Sequence, residues 1–257
     1  MSKTILITGG AGFIGSHLVE SLIEAGNEVV IFDNLSTGKH ENVANGAALI
    51  VGDITDDTEV KRLFSEKAPF DGCYHLAAVA SVTQSMREWA LTHETNQSGA
   101  VRIFEQCAKR DIAVVYASSA AVYGDCNALP LDESELTVPL SPYGLDKLLC
   151  EKQAELGAKA FNLKSAGMRF FNVYGPRQDP CVLKIMRVFA PQNSPPIPRV
   201  PKKPSWNRTD RPNATLRDAR HFLYDAETHN LQMYEHYKMS NESRGVICPN
   251  IKNCGHA

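Results

Sequence analysis

Tyr143 and Lys147 stand four residues apart in Ser141-Pro142-Tyr143-Gly144-Leu145-Asp146-Lys147. On a helix that spacing places both side chains on one face. A phenol titrates near ~10, so at neutral pH about one in a thousand is ionised. An ammonium held beside a phenol favours the phenolate. A downward shift of ~3 units corresponds to about 4 kcal/mol of differential interaction. Such a pair is a candidate base for taking a proton from an alcohol. Plain surface contacts share the same spacing, so its meaning depends on what the rest of the chain places around it.

A second group with chemistry lies upstream, in Ala117-Ser118-Ser119-Ala120-Ala121-Val122-Tyr123-Gly124. Ile112–Ala117 reads as a strand, and ligands of open α/β sheets gather at the carboxyl ends of strands. Ser119 can hydrogen-bond a hydroxyl that Tyr143 deprotonates, although serines at a strand end also cap turns.

The cofactor for such chemistry is written at the start of the chain. Lys3–Thr8 reads as a buried strand and runs into Thr8-Gly9-Gly10-Ala11-Gly12-Phe13-Ile14-Gly15, which opens a helix over Phe13–Ala25. In that context Gly-x-Gly-x-x-Gly lets a pyrophosphate approach the backbone at a helix N-terminus. The second strand, Glu28–Phe32, is followed by Asp33, placed to hold an adenosine ribose. A carboxylate there repels the extra phosphate of NADP, and no Arg follows it, so the reading is NAD. Asp53-Ile54 follows a third short strand, Ala48–Val51, where an Asp can meet an adenine amino group or simply close a turn. Leu76-Ala77-Ala78-Val79 ends a fourth strand, Gly72–Ala78, and small residues there leave room for a dinucleotide. Asn96 is a poor helix former inside a predicted long helix, Trp89–Arg110, with a polar role or a solvated one.

The remaining elements are a short helix over Thr58–Ser65, a long helix over Pro142–Ala160 and a sixth strand over Ser165–Val173. Short apolar strands alternating with amphipathic helices predict a parallel sheet covered on both faces. The fold class is therefore α/β, a Rossmann-type doubly wound sheet.

The net charge of −2 over 257 residues gives no whole-chain attraction to nucleic acid or membrane. Seven scattered cysteines without Cys-x-x-Cys fit reduced thiols. The start of the chain lacks the pattern of a signal peptide, and no apolar run is long enough to span a bilayer. The expectation is a cytoplasmic protein with no metal: Cys248, Cys254 and His256 are too few and too irregularly spaced for a metal site.

Thr8-Gly-Gly-Ala-Gly-Phe-Ile-Gly15, His75-Leu-Ala-Ala78, Ser118-Ser119, Tyr143-x-x-x-Lys147 and Arg169-Phe-Phe-Asn-Val-Tyr-Gly-Pro-Arg-Gln178 occur in this order. Together they resemble the extended short-chain dehydrogenase/reductase family, in its NAD-dependent epimerase/dehydratase branch, and in particular its UDP-glucose 4-epimerases and related UDP-sugar 4-epimerases. The resemblance implies that Gly9, Gly12, Phe13, Ile14 and Gly15 hold the pyrophosphate. It places Asp33 and Asn34 on the adenosine ribose, and Asp53 and Ile54 on the adenine. Leu76, Ala77, Ala78 and Val79 line the cofactor, and Asn96 supports the site. Ser119 and Tyr143 act on the sugar, Lys147 binds the nicotinamide ribose, Phe171 flanks the nicotinamide and Asn172 reaches the substrate.

The implied reaction takes the proton of a sugar 4-hydroxyl to Tyr143 and the hydride from C4 to NAD. It returns the hydride to the other face of a 4-keto sugar. Relatives that resemble 4,6-dehydratases carry Thr-Asp-Glu after the serine. This chain has Ala120-Ala121-Val122, which argues against dehydration. It also departs from epimerases with a threonine at the position of Ala121. Relatives often form dimers through the helices around Asn96 and Tyr143, so a homodimer is expected.

The resemblance covers residues 1–180, read as the NAD-binding domain with the catalytic residues. Residues 181–257 hold eight of the fourteen prolines, two of the seventeen glycines and a charge of +6, against −8 for the preceding part. Three expectations are open for this segment: a divergent substrate lobe, a truncated or out-of-frame end, or a basic binding segment. Only a helix over Arg220–Lys238 is predicted within it. An incomplete lobe would leave an NAD-binding protein with little turnover, the alternative to an epimerase.

Overall fold

The computed structural model describes residues 2–67, 69–125, 131–173 and 175–179. The readings made for residues 181–257, including the helix over Arg220–Lys238, lie outside them. Six strands form one sheet: β1 (Thr4–Thr8), β2 (Glu28–Asp33), β3 (Ala47–Val51), β4 (Gly72–His75), β5 (Val114–Ser119) and β6 (Ser165–Phe170). Every pairing is parallel, in the order β3-β2-β1-β4-β5-β6. The order reverses between β1 and β4, which opens a crevice at their carboxyl ends.

Strand alternation divides the core into two layers. Leu6, Phe32, Cys73, Val114 and Tyr116 face one side. There they pack on α2 (Asp57–Glu66), α5 (Gly99–Lys109) and α6 (Pro142–Phe161). Ile5, Ile7, Val29, Ile31 and Val115 face the other and meet Leu18, Val19 and Leu22 of α1 (Phe13–Glu24).

The helix starts follow local chemistry. Asp56 accepts from the amides of Thr58 and Glu59 at 2.8 and 3.0 Å and caps α2. Ser141 caps α6 by accepting from Gly144 N–H at 3.1 Å, with Pro142 at the first helical position. Asn162 ends α6 in the left-handed conformation, φ 55°.

Several boundaries differ from the sequence expectation, among them β5, which runs Val114–Ser119 rather than Ile112–Ala117 and so carries Ser118 and Ser119 as its last residues. β4 stops at His75 rather than Ala78, because β1 stops at Thr8: Leu76 N–H takes the Thr8 carbonyl at 3.0 Å, and Ala77 N–H then finds the Thr8 side chain. β6 stops at Phe170 rather than Val173, because its register partner Ser119 is the last residue of β5. The helix expected over Trp89–Arg110 is α4 (Trp89–His93), a π-helical stretch over Glu94–Ser98 and then α5; a further short helix, α3 (Val82–Arg87), precedes it.

Candidate active site

The glycine loop leaves β1 with Gly9 at φ +74°, and a Cβ there would lie 2.6 Å from Ala77 N. The loop therefore passes so close to the end of β4 that only glycine fits. Gly12 is the N-cap of α1 and provides no side-chain cap, so the first-turn amides of Phe13, Ile14 and Gly15 carry the helix's positive end without a side-chain acceptor. Gly15 is buried against Gly9. A backbone cradle with a positive helix end fits a pyrophosphate.

Asp33, at the end of β2, is nearly buried. Its Oδ2 accepts from Ala11 N–H at 3.0 Å and its Oδ1 from Leu35 N–H at 2.8 Å. The carboxylate thus ties the glycine loop to β2, and each oxygen keeps a lone pair for a hydroxyl donor. Next to it, Asn34 donates to Asp53 Oδ2 at 2.8 Å. Asp53 Oδ1 accepts from both the amide and the hydroxyl of Thr55 at 2.8 Å. Burial pushes the Asp53 carboxyl up. The Thr55 and Asn34 hydrogen bonds and the Arg102 charge outweigh that, and its pKa lies below the ordinary value. Ile54 is buried in the core against Gly99, so its side chain braces the wall while its neighbour Asp53 faces the opening.

The stretch Leu76–Val79 is held at both ends. Ala77 N–H donates to Thr8 Oγ1 at 3.3 Å, and that hydroxyl also pairs with His75 Nδ1 at 2.7 Å. Burial, then the nearby Lys147 charge, lowers His75 to about 3, so its imidazole is neutral at physiological pH. At the other end, Asn96 Oδ1 accepts from Val79 N–H at 2.7 Å and its Nδ2 donates to Val79 O at 3.1 Å. Asn96 is 1% exposed. Both of its polar ends serve Val79, so it supports the loop. Asn96 lies in the π-helical stretch, a feature frequent at functional sites. Its carbonyl accepts from Cys150 Sγ of α6 at 3.2 Å.

Ser119 ends β5, and its Oγ accepts from Ala121 N–H at 3.1 Å, capping a single 3-10 turn over Ala120–Val122. α6 packs directly on that turn: a Cβ on Gly144 would lie 2.6 Å from the Ala121 carbonyl. The residue after Tyr143 is therefore a glycine so that α6 can pack on the Ser119 turn. Lys147 is 4% exposed, and its Nζ lies 5.9 Å from the centroid of the Tyr143 ring. Between them, Asp146 points to the other side and pairs with His93 Nδ1 at 2.7 Å. Burial raises the Asp146 carboxyl, with His93 and Lys147 pulling the other way.

Phe171 and Asn172 follow β6 directly and both are exposed at the strand ends. The chain then folds back onto α1, where His17 Nε2 donates to Pro176 O at 3.0 Å and Arg177 pairs with Glu20. Most of the sequence-predicted residues thus lie at or just beyond the carboxyl ends of the strands, with Asn96, Tyr143 and Lys147 on the helices beside them. Glu151 was not singled out by sequence, and Thr8, His75 and Arg169 appeared only inside motifs. Glu151 carries a spacing signal, since it repeats the Tyr143/Lys147 interval once more. Arg169 is the one charged residue of its strand.

Sheet order, glycine cradle and strand-end acid define a Rossmann-type α/β fold, whose members take ligands in the crevice at the carboxyl ends of the strands. Residues 5–192 match the NAD dependent epimerase/dehydratase family, and the chain belongs to that family. It is 38% identical over 177 residues to the UDP-glucose 4-epimerase of Lacticaseibacillus casei, covering 68% of this chain and 53% of that protein. It superposes on the Thermotoga maritima UDP-glucose 4-epimerase, solved with UDP-glucose, with a TM-score of 0.67 and 42% identity, covering 69% of this chain and 58% of that one. The Thermus thermophilus UDP-glucose 4-epimerase, solved with NAD, gives a TM-score of 0.66 and 40% identity over the same shares. The chain spans between half and three fifths of the length of these relatives.

Proposed function

We propose that this protein is an NAD-dependent nucleotide-sugar 4-epimerase acting on UDP-glucose and UDP-galactose or their N-acetylated equivalents. The observation that carries the reading is the seat of Tyr143. Its helix abuts the Ser119 turn through Gly144, and the buried Lys147 lies under its ring. Gly9, Gly12, Phe13, Ile14 and Gly15 would hold the pyrophosphate, Asp33 and Asn34 the adenosine ribose, Asp53 and Ile54 the adenine, and Leu76, Ala77, Ala78 and Val79 the wall of the cleft. Bound NAD supplies a reversible hydride acceptor. Tyr143 takes the proton of the 4-hydroxyl and later returns it to the 4-keto oxygen. Ser119 holds that oxygen, Lys147 keeps a positive charge beside the phenol and binds the nicotinamide ribose, and Phe171 and Asn172 face nicotinamide and sugar. The absence of a carboxylate in Ala120-Ala121-Val122 leaves nothing on that turn to drive dehydration.

We also propose a homodimer. Met86, Trp89 and Leu145 expose apolar surface along α3, α4 and α6 around a groove of about 440 Å³, and Leu91 of α4 is exposed as well. Among the described residues no helix is long and apolar enough to cross a membrane. The epimerase reading is tested by incubating the NAD-loaded full chain with UDP-galactose and UDP-N-acetylgalactosamine and measuring the 4-epimers. A second reading, an NAD-binding protein with little turnover, draws on the change of composition beyond Pro180. NAD retention without conversion of any pair would favour it.

A further inference from the structure

Glu151 stands two helical turns after Tyr143 and one after Lys147, so the three share a face of α6. Its carboxylate is where two strands meet the helix. Ser118 Oγ donates to Oε1 at 2.5 Å, Arg169 Nε donates to the same oxygen at 2.9 Å, and Arg169 Nη2 donates to Oε2 at 2.7 Å. Ser118 and Arg169 are direct partners in the β5–β6 register. One carboxylate therefore fixes the penultimate rung of β5 and β6 against α6.

Arg169 extends the clamp. Its Nη1 donates to Tyr123 Oη at 2.8 Å and to the Glu133 carbonyl at 3.0 Å, and its guanidinium lies 4.8 Å from the Tyr123 ring centroid. Tyr123 follows the turn capped by Ser119, and Glu133 belongs to the stretch that leads into the Ser141 cap of α6. The Arg169 and Glu151 side chains are 23% and 16% exposed, so the pair is largely shielded from water. Burial pushes the Glu151 carboxyl up, but Arg169 and Ser118 hold it below its ordinary value.

We infer that Glu151, with Arg169 as its counter-ion, is a positioning residue that sets the offset between the strand end carrying Ser119 and the helix carrying Tyr143 and Lys147. It acts through Ser118, the neighbour of Ser119, and through its own helix. A bidentate pair is the suitable device, because its planar geometry fixes direction as well as distance. The kinetic consequence rests on the epimerase reading; the structural one does not.

Glu151→Asp keeps the charge and withdraws the carboxylate from its partners. Arg169→Lys keeps the counter-charge and cannot hold both oxygens and Tyr123 together. In the NAD-loaded full chain each substitution is expected to lower kcat about 100-fold with KM and NAD affinity nearly unchanged, the penalty of a misplaced reacting group. The amides of Ala121 and Gly144, bonded to Ser119 Oγ and Ser141 Oγ, are expected to exchange hydrogen about tenfold faster while Leu6 and Val114 keep their rates. Unchanged kcat together with unchanged Ala121 and Gly144 exchange overturns the inference. So does uniform acceleration of all four amides, which would mark a purely stabilising ion pair. If the unsubstituted chain converts no UDP-sugar, the epimerase reading fails on its own. Selective exchange at Ala121 and Gly144 then supports the positioning role, and its absence overturns it.

Discussion

His75 shows how a residue with no reacting atom shapes the site. It is buried, pairs with Thr8, and refuses a proton until about pH 3 because burial and the Lys147 charge oppose it. An unfolded histidine takes that proton near pH ~6.5. Between those values the unfolded chain binds more protons, so stability rises with pH. The contribution is intact above about pH 6.5 and is lost as pH falls toward 3, at up to ~1.4 kcal/mol per unit. His75→Asn keeps an acceptor for Thr8 and does not titrate. From about pH 7.5 to about pH 5.0 the wild type should lose about 2 kcal/mol more stability than His75→Asn, read as urea midpoints. Equal losses would contradict the buried neutral state. Tyr143, Lys147, Asp33 and the glycines were legible in the sequence because their meaning lies in short, fixed spacings. Thr8–His75 and Ser118–Glu151–Arg169 were not, because each joins residues from different elements, and only the fold brings them together.

The stretch Leu76–Val79 depends on the π-helical segment that presents Asn96. Asn96→Ala would leave Val79 N–H and C=O without their side-chain partners, at a cost of about 1–3 kcal/mol. The expected result is weaker NAD binding, read by calorimetry, with the melting temperature lowered by a few degrees. Unaltered affinity would mean that the loop holds its shape without Asn96. The sequence reading runs one helix from Trp89 to Arg110; the polar run 92–98 interrupts the apolar spacing, and a short change of hydrogen-bond pattern within it leaves no separate mark. The ends of β4 and β6 were also read too long, since apolar character outlasts the ladder: each strand stops where its neighbour's backbone turns away. The existence of all six strands and their alternation with helices were plain from the pattern of apolar residues.

At the scale of the molecule, the described residues present an apolar face over α3, α4 and α6 that a second copy would bury. Trp89→Glu with Leu145→Glu is expected to convert a dimer to a monomer in sedimentation velocity while leaving NAD binding in place. A wild type that sediments as a monomer at all concentrations would remove the dimer proposal. The central claim is that a cleft assembled from the carboxyl ends of the strands oxidises and re-reduces a sugar carbon. Its most direct measurement is the interconversion of UDP-galactose and UDP-glucose, and of the N-acetylated pair, by NAD-loaded full chain beside Tyr143→Phe. The account predicts conversion of at least one pair by the wild type and a loss of about 10²–10⁴-fold in Tyr143→Phe with NAD still bound. Equal conversion by both proteins, or none by a wild type carrying NAD, would contradict it.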